Sequence, residues 1–315
     1  MGLSRPMRGI ILAGGCGTRL SPATIPVSKI LLPVYDRPMI YYPLSTLMLA
    51  GIKEILIITN DADDDRFQKT LGDGSQFGIS IQYAIQYVPR GIADALIIGE
   101  EFIADEDVVL ILGDNIFYGN RFDITLKKAI ERNQGATIFG YAVEDPERFG
   151  VVEFDNTHRV LSLEEKPKDP KSKYAVVGLY VYSRDAVGYA KQLQPSDRGE
   201  LEITDLNREF LKKELLNVEL LEDDFYWVDA GTFESLLDAS QFVRNKEKNA
   251  DCKIMCPEKI ARDLGYINTN QLWNWLEKNT KSSYFDKIRD SYPINYALPE
   301  KQRDVNGIIQ DNSQY

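Results

Sequence analysis

The sequence predicts an α/β fold with a mixed, mostly parallel sheet and helices on both faces. Short apolar runs alternate with longer amphipathic segments through most of the chain, and hydrophobic residues make up 43% of its 315 residues. Parallel strands need long crossover connections, which helices usually provide, so this alternation favours a covered parallel sheet. Ligands bind such sheets beyond the carboxyl ends of the strands. The residues that follow each predicted strand are therefore the first candidates for a functional site.

The pattern defines the elements in chain order. The first predicted strands are Gly9–Ala13, Ile55–Thr59, Ile79–Ile85, Val108–Leu112 and Ala136–Tyr141. The helices predicted between them are Tyr42–Ala50, Asp64–Leu71, Ile92–Glu101 and Phe122–Asn133. Further strand-like runs lie closer together, which predicts an antiparallel second part, at Val151–Phe154, Val160–Leu163 and Val176–Tyr182. Helices are then predicted at Thr204–Leu215 and Phe233–Asn249, with short ones around Ala261, at Leu272–Lys278 and at Tyr284–Asp290.

Charge and composition argue against several classes of partner. The net charge is −11 and the pI is about 4.8, whereas a general nucleic-acid binder presents a basic surface. No apolar run approaches the roughly 18 residues that span a bilayer, so we expect no membrane partner. Cys252 and Cys256 have no further ligand nearby for a zinc site, and the three cysteines form no disulfide framework. We therefore expect free thiols and a reducing, cytoplasmic location.

The strongest motif follows the first predicted strand and reads Gly14-Gly15-Cys16-Gly17-Thr18-Arg19-Leu20. Three glycines within four positions allow a sharp turn, and their N–H groups can form an anion-binding nest. Arg19 adds a planar fork of donors suited to phosphate oxygens, and Lys29 supplies a second cation ten residues later. The motif matches neither the P-loop nor the dinucleotide fingerprint. It predicts a phosphate site of another kind at one strand end.

Two aspartates are candidate ligands of a divalent cation. Asp114 closely follows the predicted strand Val108–Leu112, and Asp229 ends the stretch Trp227-Val228-Asp229. Mg²⁺ prefers one or two carboxylates together with phosphate oxygens and water. Taken singly, an aspartate in such a position is more often a turn or helix-cap residue. A third charged element, Glu164-Glu165-Lys166-Pro167, is by itself typical of a solvated loop.

Taken together, these motifs resemble those of the glucose-1-phosphate thymidylyltransferases, a group of sugar nucleotidyltransferases. The N-terminal signature consists of Gly14–Leu20, Pro22, Thr24, Ser28-Lys29, Leu31–Tyr35 and Pro38–Leu44. The resemblance continues through Ser45–Gly51, Leu71–Gln76, Gly99–Ile103, Leu112–Gly119, Pro146–Phe154, Leu163–Pro167, Gly199–Asn207 and Trp227–Gly231. It therefore covers roughly residues 8–290, and the last part resembles the C-terminal extension of the longer, tetrameric members.

The resemblance implies a Rossmann-like fold and a division of the chain. Residues 7–250 would form the nucleotidyltransferase domain, in which about 7–140 bind the nucleotide and about 141–235 form a smaller, sugar-binding β part. Residues 251–292 would form a C-terminal helical extension, and residues 293–315 a flexible tail. The resemblance also implies small-molecule substrates and a homotetramer.

The resemblance further implies roles for individual residues. Nucleotide binding is expected of Gly14, Gly15, Gly17, Thr18, Arg19, Gln86 and Gly91, the last two against the pyrimidine. Contacts to the sugar phosphate are expected of Asn115, Gly150, Glu165, Lys166 and Val176. Asp114 and Asp229 are expected to hold Mg²⁺, and the catalytic set is Arg19, Lys29, Asp114 and Lys166. The amide of Gln86 offers a donor and an acceptor, which suits the imide edge of thymine or uracil.

The implied reaction joins dTTP to glucose 1-phosphate and gives dTDP-glucose and pyrophosphate. A phosphate monoester has a second pKa of about 6, so the attacking phosphate needs no general base, and the single histidine, His158, is not expected to be catalytic. Three alternatives stay open: a sister enzyme that uses UTP or an amino- or deoxy-sugar phosphate, a glycosyltransferase, and a non-catalytic sensor of nucleotide sugars. The loop with Arg19 argues against a glycosyltransferase. The joint presence of cations and carboxylates argues against a sensor.

The chain departs from the commonest pattern of the group it resembles. Phe149 stands where tyrosine is frequent, and Arg90 and Asp94 stand where aspartate and glutamine are common. The other departures are Cys16 and Ile30 near the predicted nucleotide loops, and Asp223 and Phe233 at positions that are often basic or histidine. The differences near the loops leave the choice of triphosphate open. Those at residues 223 and 233 leave open whether a second nucleotide site for feedback inhibition exists.

Overall fold

The computed structural model describes residues 6–15, 17–222, 224–248, 250, 252–278 and 282–293. Cys16 and Asp223 lie outside these residues, and so does the predicted flexible tail beyond residue 293. Among the described residues, none of the helices combines the length and the apolar character needed to span a bilayer.

The described residues form strands and helices that are numbered separately in chain order. The strands are β1 (Met7–Leu12), β2 (Pro33–Val34), β3 (Arg37–Pro38), β4 (Glu54–Thr59), β5 (Ser80–Ile85), β6 (Asp107–Leu112), β7 (Asn115–Tyr118), β8 (Ala136–Ala142), β9 (Gly150–Phe154), β10 (Val160–Glu165), β11 (Tyr174–Tyr182), β12 (Leu216–Leu221) and β13 (Tyr226–Asp229). The helices are α1 (Tyr41–Leu49), α2 (Asp64–Leu71), α3 (Asp94–Ile98), α4 (Glu100–Ile103), α5 (Phe122–Arg132), α6 (Asp185–Ala190), α7 (Ile203–Lys212), α8 (Phe233–Lys248), α9 (Pro257–Asp263), α10 (Thr269–Lys278) and α11 (Ser283–Ser291).

The centre of the fold is a nine-stranded mixed sheet. Its main path runs β12-β8-β11-β6-β1-β4-β5, and the antiparallel pair β9–β10 joins it at β11. The strands β6, β1, β4 and β5 are parallel to one another, whereas β11 is antiparallel to both β6 and β8. The predicted α/β class with a mixed, mostly parallel sheet is confirmed. The antiparallel strands lie in the second part, where the closely spaced runs predicted them.

Both faces of the sheet are covered. Successive side chains of its central strands point to opposite faces, and the side chains on each face are buried. Ile11 and Ile57 belong to one buried cluster, which includes residues of α1, α5 and α8. Their neighbours Ile10 and Leu56 belong to a second buried cluster, with residues of α3, α6 and α7. The central strands are therefore buried on both sides, which accounts for their continuous apolar runs.

The helix predicted over Ile92–Glu101 is two helices, α3 and α4, which meet at Gly99. A Cβ at Gly99 would lie 2.7 Å from Cδ1 of Ile10 in β1. The break therefore occurs where the backbone runs directly against the central strand. The apolar periodicity continues across it, so the sequence pattern alone predicts one helix.

The segment beyond α8 is tied to the body of the protein by a buried charge network. Arg37 in β3 is 2% exposed, pairs with Glu247 of α8 and donates a 2.5 Å hydrogen bond to the carbonyl of Ile254. Lys253 pairs with Glu247 at 2.8 Å and also with Asp36. Two cations and two carboxylates thus neutralise each other inside the protein. The division of the chain at residue 250 stays a prediction.

Replacing Glu247 by Ala is expected to destabilise the protein by about 3–5 kcal/mol, because Arg37 and Lys253 would keep buried charges without their shared partner. Denaturant unfolding at neutral pH measures the change in the free energy of unfolding. The control is Glu209→Ala, which removes an exposed partner of Lys212 and should cost less than about 1 kcal/mol. Equal, small effects of the two substitutions would contradict this account of the network.

Candidate active site

A cleft of about 620 Å³ opens at the carboxyl edge of the sheet. Its walls include the last residues of β1 and β6 and parts of β9 and β11. Most residues that the sequence singled out line this one cleft: Gly15, Arg19, Lys29, Asp114, Asn115, Gly150, Glu165, Lys166, Val176 and Asp229. The glycine turn and the two aspartates therefore share one cleft.

The glycine loop brings Arg19 to the mouth of the cleft. Gly17 has a φ of +61°, which side-chain-bearing residues rarely adopt, and its carbonyl accepts a 2.9 Å hydrogen bond from Thr24 Oγ1. The chain then enters the 3₁₀ helix Thr18–Leu20, in which Leu20 is buried and Arg19 is exposed. Gly231 leaves room for the guanidinium: a Cβ there would lie 2.7 Å from Arg19 Nη2 and 2.7 Å from Asp229 Oδ1. Arg19 therefore lies beside the second aspartate.

A second 3₁₀ helix, Lys29–Leu31, holds Lys29 in the cleft. Ser28 caps this helix, because its Oγ accepts a 3.3 Å hydrogen bond from the backbone N–H of Ile30. The backbone N–H of Ser28 donates to Asp63 Oδ1 at 3.1 Å, which anchors the turn to the segment before α2. The Lys29 ammonium forms an ion pair with Asp114. The position of this cation is thus fixed both by the backbone and by the carboxylate.

The strands β7 and β13 bring the two aspartates together. In this antiparallel pair Asp229 lies opposite Asn115, and the N–H of Ala230 donates to the carbonyl of Asp114 at 2.9 Å. Asn115 Nδ2 donates to Asp114 Oδ1 at 3.0 Å, while its Oδ1 accepts a 2.7 Å hydrogen bond from Trp227 Nε1. The Asp114 carboxylate is therefore oriented by a side chain that is itself held in place.

Burial and repulsion set the charges of these two aspartates. Burial, and after it the negative charge of Asp114, raises the pKa of Asp229 from 3.8 to about 6, against the opposing effect of Lys29 and Arg19. Burial also raises the pKa of Asp114, but the charge and hydrogen bond of Lys29 outweigh it, so the pKa of Asp114 is lowered. The two carboxylates therefore repel each other, and Asp229 bears most of the cost.

The pair fits a divalent cation. Within the described ranges, the buried Oδ1 of Asp229 has no hydrogen-bond partner, a costly state that a cation would relieve. A cation between the two carboxylates would also remove their repulsion. The described residues contain no cluster of three or more His, Cys, Asp or Glu side chains that could hold a metal. The remaining ligands would therefore be phosphate oxygens and water, which Mg²⁺ accepts.

The other wall of the cleft carries a fixed carboxylate and a cation. Glu165 ends β10, where its Oε2 accepts a 2.6 Å hydrogen bond from Thr204 Oγ1 and its Oε1 a 3.3 Å bond from Arg198 Nη2. Lys166 has a φ of +43°, and its N–H donates to the carbonyl of Phe149 at 3.0 Å. Its side chain is about half exposed. This wall can accept hydrogen bonds from hydroxyl groups and can pair with a phosphate.

The remaining predicted residues lie beside the cleft and are not part of its wall. Gln86 follows β5 and is 7% exposed, and its Oε1 lies 3.0 Å from the position of a Cβ on Gly14. Gly91 has a φ of +100° and packs against the backbone of Leu201. Gly14, Gly17 and Thr18 complete the loop around Arg19. The assignment of these residues to the nucleotide stays a prediction.

Several cleft residues are absent from the predicted set, among them Arg148, Arg198, Thr204 and Trp227. Arg148, Thr204 and Trp227 lie in segments that carry the resemblance, which was the available signal. Arg198 lies outside the regular strands and helices, with a side chain that is 44% exposed. No sequence pattern distinguishes it from an ordinary surface arginine.

Together, the fold and the cleft define an enzyme that handles two phosphate-bearing substrates, because cations and a carboxylate pair converge where a parallel sheet binds its ligands. Residues 8–246 match the family model described as "Nucleotidyl transferase". The chain therefore belongs to the nucleotidyl transferase family. The relatives compared below are named glucose-1-phosphate thymidylyltransferases.

The relatives match over nearly their whole length. A glucose-1-phosphate thymidylyltransferase of Neisseria gonorrhoeae is 56% identical over 278 residues, which cover 88% of this chain and 96% of that protein. One of Mycobacterium tuberculosis is 50% identical with the same coverage. A solved structure of a candidate glucose-1-phosphate thymidylyltransferase from Bacillus anthracis, in complex with sucrose, is 43% identical with a TM-score of 0.70, covering 76% of this chain and 96% of that one. A UDP-glucose pyrophosphorylase complexed with UDP-glucose has a TM-score of 0.68 at 24% identity over 77% of this chain and 100% of that one, which supports the fold alone.

Without divalent cations, replacing Asp229 by Asn is expected to stabilise the protein at neutral pH. The pKa of Asp229 is raised by folding, so this carboxyl favours the folded state fully below about pH 4, and that contribution is lost as the pH rises through about 6. Asn carries no charge, so the gain should be on the order of 2–3 kcal/mol at pH 7 and should vanish near pH 4. Denaturant unfolding in a chelator across this pH range measures it.

Added Mg²⁺ should raise the unfolding midpoint of the wild type and leave that of Asp229→Asn nearly unchanged, since a bound ligand stabilises only the folded state that binds it. The matched control is Asp286→Asn, whose carboxylate is 58% exposed on α11. It should lack the gain in stability at neutral pH and should respond to Mg²⁺ as the wild type does. A difference between wild type and Asp229→Asn that does not vary with pH would argue against repulsion at this site.

Proposed function

We propose that this protein transfers the thymidylyl group of dTTP to glucose 1-phosphate, giving dTDP-glucose and pyrophosphate. The observation that carries the proposal is the lining of one cleft by Arg19, Lys29, Lys166 and the pair Asp114 and Asp229. Relatives that bear the name of this activity, at 50–56% identity over 88% of the chain, support the choice of substrates.

The chemistry is an in-line displacement. An oxygen of the sugar phosphate attacks the α-phosphorus of dTTP, and the bond from this phosphorus to the oxygen bridging to the β-phosphorus breaks. Pyrophosphate leaves with the electron pair. The nucleophile is already largely dianionic at neutral pH, so the protein has to position the reactants and neutralise charge. His158, in the turn between β9 and β10, does not line the cleft.

Three cations divide the phosphate groups between them. Arg19, which the glycine loop places at the mouth of the cleft, is assigned to the leaving pyrophosphate. Lys29 contacts the triphosphate, and its anchored 3₁₀ helix limits the freedom lost on binding. Lys166 orients the attacking phosphate from the opposite wall, where Arg198 adds a further positive charge. A charge-assisted contact of this kind strengthens as negative charge develops in the transition state.

Asp114 and Asp229 are the residues that would hold Mg²⁺. When bound, the ion would offset negative charge on the phosphate oxygens. Asn115 supports this role, because it donates to Asp114 while its own oxygen accepts from the N–H of Gly178 at 3.0 Å and from Trp227. Such outer contacts fix a ligand before the ion arrives.

The sugar is assigned to the wall formed by Glu165 and its neighbours. Glu165 would accept hydrogen bonds from sugar hydroxyls, and its contacts with Thr204 and Arg198 hold it in place. Asn115, Gly150 and Val176 line the same region of the cleft. Phe149 packs its ring 5.3 Å from that of Trp227, so this position offers an apolar surface where a tyrosine would offer a hydroxyl.

The pyrimidine is assigned to Gln86 and Gly91, beside the glycine loop. A homotetramer rests on the resemblance. A location in the cytoplasm rests on the free thiols of Cys252 and Cys256, which fit a reducing compartment.

A panel of substrates tests the proposed activity directly. We expect pyrophosphate release with dTTP and glucose 1-phosphate that requires Mg²⁺. Matched reactions replace dTTP by UTP, or glucose 1-phosphate by amino- and deoxy-sugar phosphates. A higher kcat/KM with one of these would assign the protein to the sister activity. Nucleotide binding without any pyrophosphate release would favour the sensor.

Replacing Arg19 by Ala is expected to lower kcat on the order of 10²–10³-fold, because the leaving pyrophosphate would lose a charge-assisted donor. The dissociation constant of glucose 1-phosphate should change less than about threefold, since Lys166 and Arg198 remain. Steady-state kinetics and calorimetry measure the two quantities. Arg184→Ala, at an arginine 60% exposed and outside the cleft, is the matched control. Equal losses in turnover and in sugar-phosphate binding would remove Arg19 from its assigned role.

A further inference from the structure

Three side chains linked by hydrogen bonds lie behind the predicted base site. Asp94, the first residue of α3, is 1% exposed. One of its oxygens accepts a 2.7 Å hydrogen bond from Arg90 Nη2, and the other accepts a 3.0 Å bond from Gln86 Nε2. The Arg90 side chain is 56% exposed, so these hydrogen bonds connect the solvent with the amide of Gln86. We call these three residues the Gln86 clamp.

The clamp determines which way the amide of Gln86 faces. A carboxylate paired with a guanidinium only accepts hydrogen bonds, so the amide atom directed at Asp94 has to be the donor Nε2. The acceptor Oε1 is thereby turned away from Asp94 and towards the glycine loop, 3.0 Å from the position of a Cβ on Gly14. The orientation follows from the chemistry of the partner, although the two amide atoms have nearly the same shape.

We propose that Asp94, held by Arg90, is a positioning residue that locks Gln86 in the orientation that reads an imide. In this orientation Oε1 accepts from the N3–H of the base. The second hydrogen of Nε2, which Asp94 does not use, donates to the neighbouring carbonyl. Both amide atoms are then satisfied by thymine or uracil. This inference rests on the proposed function, in which Gln86 contacts the pyrimidine.

The same lock discriminates against cytosine. Cytosine presents an acceptor at N3 and an amino donor at C4, which is the reverse of the imide pattern. A freely rotating glutamine could turn by 180° and satisfy either base. With the clamp in place, the reversed amide would direct Oε1 at the Asp94 carboxylate and leave two acceptors facing each other. Sites built around such hydrogen bonds reject the mismatched analogue strongly.

The clamp combines an exposed cation with a buried carboxylate. Arg90 and Asp94 lie four residues apart and form an ion pair at 2.7 Å behind the amide. Thymine and uracil share the imide edge, so the clamp does not separate them.

Equilibrium binding of dTTP and dCTP to the full-length protein and to Asp94→Asn tests the proposal. Asn has the same shape and can either accept or donate, so Gln86 gains the freedom to turn. We expect the wild type to bind dTTP at least about a hundredfold more tightly than dCTP, and Asp94→Asn to lower this ratio about tenfold or more. The KM for glucose 1-phosphate should stay unchanged, which separates loss of orientation from general damage. Asp286→Asn is the control and should keep the wild-type ratio.

A second variant covers the case in which Asp94→Asn does not fold. Arg90→Gln removes an exposed guanidinium and should lower the dTTP-to-dCTP ratio in the same direction, by about threefold or more, because the hold on Asp94 is weakened. A folded Asp94→Asn or Arg90→Gln with the wild-type ratio would overturn the inference, and so would a wild type without preference for dTTP over dCTP. Binding is measured without turnover. A wild type that prefers dTTP but releases no pyrophosphate would therefore contradict the proposed function. The role of the clamp would still be tested by the change in the dTTP-to-dCTP binding ratio of the variants.

Discussion

The central constraint on this structure is the repulsion between two buried carboxylates, Asp114 and Asp229. A folded protein keeps two such charges together only if positive charge or a cation offsets them. Here Lys29 pairs with Asp114, and Arg19 lies beside Asp229. The loop rich in glycine, the capped turn at Ser28 and the pairing of β7 with β13 all keep these four groups close together. The repulsion between these carboxylates destabilises the protein without ligands, and the cations gathered around them favour the binding of polyanions in the cleft.

The architecture brings these groups together from distant parts of the chain. Arg19 and Lys29 follow β1, Asp114 follows β6 beside it, and Asp229 arrives on β13, which pairs with β7. The antiparallel part then adds Glu165 and Lys166 from the far wall. Both faces of the sheet that carries these walls are covered by a buried apolar cluster. The rigid sheet therefore fixes the separation of the two walls, and the loops supply the chemistry.

Much of this arrangement could be predicted from the sequence. The strands Gly9–Ala13, Ile55–Thr59 and Val108–Leu112 were predictable because they are apolar runs buried on both faces. The glycine loop was predictable because closely spaced glycines beside an arginine favour a phosphate site. β7 could not be predicted, since it has four residues and directly follows the turn at Gly113 and Asp114. β12 was missed although Leu216-Asn217-Val218-Glu219-Leu220 alternates between apolar and polar residues, because it directly follows the helix predicted over Thr204–Leu215 and was not separated from it. Arg198 could not be predicted either, because only the folded chain brings it to the cleft.

The ion pair between Arg37 and Glu247 joins residues 210 positions apart. Contacts of this span close a very long loop, and the entropy cost of that closure makes them slow to form. During synthesis, the strands that follow the glycine loop would emerge from the ribosome long before α8. Domains generally fold as units, with the N-terminal part first. Until Glu247 had left the ribosome, Arg37 would have only its sequence neighbour Asp36 as a carboxylate partner. An unfinished polypeptide that ends before α8 would contain every residue that lines the cleft and would still lack one of the two carboxylates that neutralise Arg37.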